Sequence, residues 1–274
     1  ETGALRVEGN MTLDYKAAST DSSNIVINVP GKGAVCVSCH AGRGNAATLF
    51  GASTIDPAAV LSGTTTPKNS ATATATHYLG AAASIFAAQT KTGYEYPGRS
   101  YAAPVYFEHN TLGCNDCHMG GKNHKFEVVE KDSKGVITEI KSQKCLECHS
   151  GPYAMPVTKL REEEKGFEDA IAAFNDALIA QGYTYTTAYP YFLFTSTDSA
   201  KAALKWRTQG DLGAAHNFNF LKREPGAYAH NRFYTKRLIY DSLDWLDNNQ
   251  MDNSVVINSL KYPFAAKWLG DARP

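Results

Sequence analysis

The chain has 274 residues, 43% of them hydrophobic and 20% charged, and its 27 Lys plus Arg balance 27 Asp plus Glu. It is too apolar and too weakly charged for a disordered chain, and it lacks the basic excess that tracks a phosphate backbone, so nucleic acid is not an expected partner. The longest strongly apolar run, Leu79 to Ala88, is too short to span a bilayer, and no transmembrane segment is expected.

The chain opens Glu1-Thr2-Gly3, without the basic stretch and apolar run of a leader, which reads as the mature form of an exported chain. Leu5, Val7, Met11, Leu13 and Tyr15 alternate around Gly9-Asn10 and predict a small hairpin or two short strands. Ile25 to Val29 predicts a further strand, closed by Pro30-Gly31. Residues 1–33 thus form a β-rich segment. Region 34–150 carries all six cysteines in three copies of one pattern: Cys36-Val-Ser-Cys39-His40, Cys114-Asn-Asp-Cys117-His118 and Cys145-Leu-Glu-Cys148-His149. Between the first two copies the sequence predicts a loop over Ser62–Thr76, a helix over Ala81–Gln89 and irregular chain over Gly93–Pro104. Between the second and third, 126–130 and 136–140 flank a Gly135 turn and predict a hairpin. Region 151–274 has no cysteine and reads as helical. Phe167, Ile171, Phe174 and Leu178 share one helical face. Thr197-Asp198-Ser199 is placed to cap a helix through Trp206, extending to Leu221 with a break near Gly210. Arg232 to Asn248 forms a last helix with Ile239, Leu243 and Leu246 on one side. The three regions together read as a single domain, 1–274.

Two cysteines separated by two residues and followed at once by His form the attachment motif of c-type haem. The two thiols add to the two vinyl groups of one porphyrin, and the imidazole reaches the iron from the same side. Zinc sites pair one CxxC knuckle with another, and redox CxxC motifs have no need of a following His. With 8 His in the chain, three chance placements are not expected. Cys36, Cys39, Cys114, Cys117, Cys145 and Cys148 are therefore the expected attachment points of three covalent haems, with His40, His118 and His149 as proximal ligands.

Five histidines remain for the distal positions. A second His gives a low-spin, low-potential electron-transfer centre, whereas Met raises the potential. His124 follows His118 across Gly120-Gly121, His230 sits at the entry to the last helix, and His77 opens the Ala-rich helical stretch; these three are the favoured distal ligands. His109, five residues before Cys114, and His216, within a helix, are the alternatives. Met11, Met119, Met155 and Met251 read as packing residues. No ligand is missing and no catalytic residue stands out, so the expectation is an electron carrier. A multihaem reductase of a small oxyanion is the alternative from another class, and it requires an open iron.

The three CxxCH motifs, the stretch from His77-Tyr78-Leu79 to Gly93-Tyr94-Glu95-Tyr96-Pro97-Gly98, the Cys117-His118-Met119 to His124 element and Gly226-Ala227-Tyr228-Ala229-His230-Asn231 together resemble the multihaem c-type cytochromes of dissimilatory metal-reducing bacteria. The resemblance implies a mostly irregular and α-helical fold with a few short β-hairpins, organised around the haems. It also implies haem attachment outside the cytoplasm, so that the protein is secreted, extracellular or on the cell surface, with the periplasm as the alternative. One subset of these cytochromes forms extracellular filaments, or nanowires, in which a neighbouring subunit supplies distal ligands. Five spare histidines and a long chain for three haems make a homopolymeric conduit the expected assembly. A soluble shuttle is its alternative, and other redox cytochromes or extracellular electron acceptors are the further expected partners.

Overall fold

The computed structural model describes residues 8–17, 21–50, 56–59, 79–120, 125–189, 191–194 and 206–274. Strands β1 (Met11–Thr12) and β2 (Val26–Ile27) pair antiparallel, with Met11 opposite Ile27. The ladder continues irregularly through Leu13 N–H to Ile25 C=O at 2.8 Å and Ile25 N–H to Tyr15 C=O at 3.0 Å. The alternation seen in the sequence puts Leu13, Tyr15, Ile25, Ile27 and Val29 on one buried side. Residues 1–7, one arm of the hairpin expected around Gly9, lie outside the described residues. The partner of Met11–Thr12 is the later strand, because only that pairing puts both apolar sets on one face.

Helix α1 (Ala34–His40) packs Ala34 and Val37 against this ladder, together with Ala82 and Phe86, to form a small core. α2 (Ala46–Phe50) follows. The helix expected over 81–89 is split into α3 (Ala81–Ile85) and α4 (Ala87–Thr90) at Phe86, whose ψ of 32° departs from helical geometry. Phe86 is committed to the small core, and that packing outweighs helix continuity.

α5 (Cys114–His118), the hairpin β3 (Val129–Lys131) and β4 (Ile137–Ile140), and α6 (Gln143–Cys148) make up the middle of the chain. The hairpin agrees with the sequence expectation and turns at Gly135, with φ +78°.

The larger core belongs to α7 (Val157–Ala180), α8 (Gln209–Lys222), α9 (Ala227–His230), α10 (Arg232–Asn248) and α11 (Pro263–Leu269), with the hairpin β5 (Tyr183–Tyr185) and β6 (Phe192–Phe194) alongside. α7 buries Phe167, Ala170, Ile171, Phe174 and Leu178 at helical spacing. α10 has the bounds read from the sequence, with the Asn231 side chain capping Tyr234 N–H at 3.1 Å. The helix expected from Thr197 lies largely outside the described residues. α8 starts at Gln209, capped by Thr208 Oγ1 accepting from Asp211 N–H at 3.1 Å. The chain is non-helical over 206–208, so the break expected near Gly210 falls just ahead of α8; a Cβ on Gly210 would collide with the Trp245 indole, and one on Gly213 with the Tyr94 ring. Among the described residues no helix is long and apolar enough to cross a membrane.

α8 is buried on every side from Gly210 to Leu221, so its polar side chains need partners inside the protein. Asp211 takes hydrogen bonds from Tyr183 Oη at 2.6 Å, Arg207 Nε at 2.9 Å and Trp245 Nε1 at 3.0 Å. Asn217 accepts from Tyr94 N–H at 2.6 Å and donates to Tyr94 C=O and Ser242 Oγ, both at 3.0 Å. It clamps the extended 93–101 segment to the helical body. Asn217→Ala leaves both Tyr94 backbone groups unpaired and is expected to lower stability by about 1–3 kcal/mol; chemical denaturation followed by circular dichroism checks this.

Candidate haem-attachment site

Each CxxCH copy forms a helical turn, in α1, α5 and the end of α6. Positions i, i+3 and i+4 of a helix share one face, so each motif presents two thiols and an imidazole to the same side. Local sequence starts the second and third turns. Asp116 Oδ2 accepts from Gly113 N–H at 2.8 Å, and Ser142 Oγ accepts from Cys145 N–H at 3.4 Å.

The second turn adjoins both of the others. Cys114 Sγ is 3.9 Å from Gly33 C=O at the start of α1, and a Cβ on Gly33 would sit 3.0 Å from Cys114 N. The Cys114 thiol faces Cys36, and burial pushes its pKa up to about 11. The neighbouring Cys145 of α6 and burial both push the Cys117 thiol pKa up. α5 is therefore the middle member, in contact with α1 through one cysteine and with α6 through the other. None of the six cysteines pairs in a disulfide.

Five histidines are half-buried around these turns and share one hydrogen-bonding habit. Nδ1 lies 2.7 Å from Leu79 C=O in His40, 3.0 Å from Phe126 C=O in His118 and 3.4 Å from Tyr153 C=O in His149. In His109 it lies 3.3 Å from His230 C=O, and in His230 it lies 2.6 Å from Glu224 Oε1. An acceptor at Nδ1 assigns the proton there and leaves the Nε2 lone pair for a metal. Burial pushes the pKa of His109 down and so favours its neutral form. The rings of His118 and His230 have centroids 6.1 Å apart, as do those of His109 and His149.

His216 differs. It is fully buried in α8 with Nε2 2.6 Å from Thr92 C=O, the reverse of the arrangement in the other five. His77 and His124, two of the favoured distal residues, lie outside the described residues. Sequence reasoning ranked His109 as an alternative and passed over Glu224. The position of His109 five residues before Cys114 was the available signal for it, whereas nothing local marks Glu224.

C-type polyheme cytochrome OmcB of Geobacter sulfurreducens is 32% identical to this chain over 323 aligned residues, covering all of the chain and 41% of the relative, in both strains compared. C-type polyheme cytochrome OmcC of the same organism is 32% identical over 321 residues, covering all of the chain and 40% of the relative. The chain is a homologue of the polyheme c-type cytochromes. It spans about two fifths of the length of the relatives it matches. No family model and no solved structure matches it.

Homology to polyheme cytochromes implies covalent haem, and the residues present fit that group in three respects. First, between Tyr101 and Phe167 the described residues add only Ile137 and Ile140 to the buried hydrophobic side chains, and neither belongs to the two main clusters, so this long stretch has little of the buried apolar surface that holds a fold together. Second, large apolar side chains stand exposed on and beside the motif turns: Val35, Leu146, Tyr106, Phe126 and Tyr153. A porphyrin face is the kind of surface they would cover. Third, a first-row metal–imidazole bond of about 2 Å plus about 1 Å from nitrogen to ring centre puts two imidazoles of one iron roughly 6 Å apart, centroid to centroid. Both imidazole couples have that spacing.

If the cofactor supplies the missing core, the haem-free chain loses order first in the middle. Limited proteolysis of unmatured chain is expected to cut within 102–156 well before α7 and α10, and the matured protein is expected to resist at those sites.

Proposed function

We propose that this chain is an electron-carrying segment that holds three c-type haems in a row, each iron between two imidazoles, and that it works outside the cytoplasm. The observation that carries this reading is the pair of imidazole couples, His118 with His230 and His109 with His149, each at 6.1 Å. Haem supplies a one-electron couple, which two imidazole ligands keep low-spin and low in potential.

The chain does the rest. Cys36 and Cys39, Cys114 and Cys117, and Cys145 and Cys148 tether the three groups, and His40, His118 and His149 are the proximal ligands. His230 closes the second centre and His109 the third. The first takes its distal ligand from His77 or His124. The carbonyls and carboxylate at Nδ1 hold each described imidazole in the ligating tautomer. The contacts of Cys114 with α1 and of Cys117 with Cys145 support the order first, second, third along the row.

Thioether attachment outside the cytoplasmic membrane supports an extracellular, cell-surface or periplasmic protein, with other redox cytochromes or extracellular acceptors as partners. The surplus of histidines suggested ligands shared between subunits of a nanowire. On this reading His109 and His230 are ligands within the chain and the buried His216 is a core residue, which leaves His77 and His124 for one iron. The reading therefore does not require a homopolymer. Two closed imidazole couples likewise favour a carrier over an oxyanion reductase, which needs an open position.

A pyridine haemochrome assay is expected to count three haems per chain. His230→Ala and His109→Ala are each expected to turn one haem high-spin and to open it to carbon monoxide, whereas His216→Ala leaves all three low-spin. If neither of the first two changes any spin state, the proposed ligand sets are wrong. Carbon monoxide binding by the unmodified reduced protein would revive the reductase, and sedimentation as polymers of this chain would revive the filament.

A further inference from the structure

Four of the five described site histidines give Nδ1 to a neutral backbone carbonyl. His230 gives it to a carboxylate, Glu224 Oε1 at 2.6 Å. Glu224 is 1% exposed, and among the described residues no Lys or Arg forms an ion pair with it. A buried carboxylate without a compensating charge is costly, so its location needs a reason. Its backbone is held in the turn between α8 and α9 by Glu224 N–H to Leu221 C=O at 3.1 Å and Ala227 N–H to Glu224 C=O at 3.1 Å. Space is also reserved for the pair: a Cβ on Gly226 would lie 2.8 Å from His230 Cε1 and 3.2 Å from Glu224 Oε1.

We propose that Glu224 is a positioning residue that sets the potential of the second haem through His230. A carboxylate draws the Nδ1 proton toward itself and makes the imidazole a stronger donor. A stronger donor and a nearby negative charge both favour the ferric over the ferrous state, which lowers the potential. The ferric centre in turn supplies the positive charge that the buried carboxylate otherwise lacks. The second haem is thereby distinguished from its neighbours, whose described ligands have neutral acceptors. This inference rests on His230 being an iron ligand.

Glu224→Gln in the fully matured protein keeps an acceptor of the same length and removes the charge. Spectroelectrochemistry is expected to show one of the three redox steps moving to higher potential. The oxidised-to-reduced ratio of that step at a fixed potential falls about tenfold, equivalent to about 59 mV for a one-electron couple. The affected haem is the one that His230→Ala turns high-spin, and the near-infrared charge-transfer band of its ferric form, which follows axial-ligand basicity, shifts with it. Three unchanged potentials and an unchanged band, with His230→Ala still producing a high-spin haem, overturn the role of Glu224 alone. If His230→Ala leaves every haem low-spin, the ligand reading and this inference fail together. If Glu224→Gln does not mature with all its haems, the band of the unmodified protein decides: a position typical of neutral imidazole ligation overturns the inference, and one displaced toward imidazolate supports it.

Discussion

Between Tyr101 and Phe167 only Ile137 and Ile140 are buried hydrophobics among the described residues, and the rest of the structure depends on that deficit of apolar core. The region holds two of the three motifs, a short hairpin and two isolated turns, with exposed aromatic and aliphatic side chains where a globular protein would bury them. Covalent attachment makes a cofactor core possible here. A tethered porphyrin cannot dissociate, so the polypeptide around it need not be stable in its absence. Helical geometry makes the tether compact, because one turn brings both thiols and the proximal imidazole to one face.

The large helical body has a complementary task. It is a conventional core with α8 at its centre, and the buried polar groups of that helix are matched by Tyr94, Tyr183, Trp245 and Ser242. From this rigid body the turn between α8 and α10 projects His230 toward α5, with Glu224 behind it. Ligands mounted on packed elements hold their geometry better than ligands on free loops. His109 Nδ1 meets the carbonyl of His230 at 3.3 Å, so the imidazoles facing His149 and His118 are mechanically joined.

Secondary structure was legible where periodicity and local chemistry agreed. α10 has the bounds read from its apolar stripe, the Gly135 turn produced the expected hairpin, and the α7 face is the one the sequence showed. It was not legible where packing between distant segments decided. Phe86 splits a continuous helical pattern because its ring is committed to the small core. That position 210 holds glycine is set by the distant Trp245 indole, which occupies the space of a side chain. The β5–β6 hairpin and α11 carry too few residues for a periodic signal and take their form from the body they cover.

By itself the sequence determined the attachment chemistry, because thiol, thiol and imidazole must sit within one helical turn and so appear as a contiguous string. It also offered five histidines as candidate distal ligands. Only the tertiary structure decided which of these meet. His109 lies next to the second motif yet faces the third, His230 crosses from the far end of the chain to face the second, and His216 is enclosed in the core. An imidazole couple is a contact between residues as much as 112 positions apart (230 − 118), fixed by how helices pack, and no local spacing encodes it.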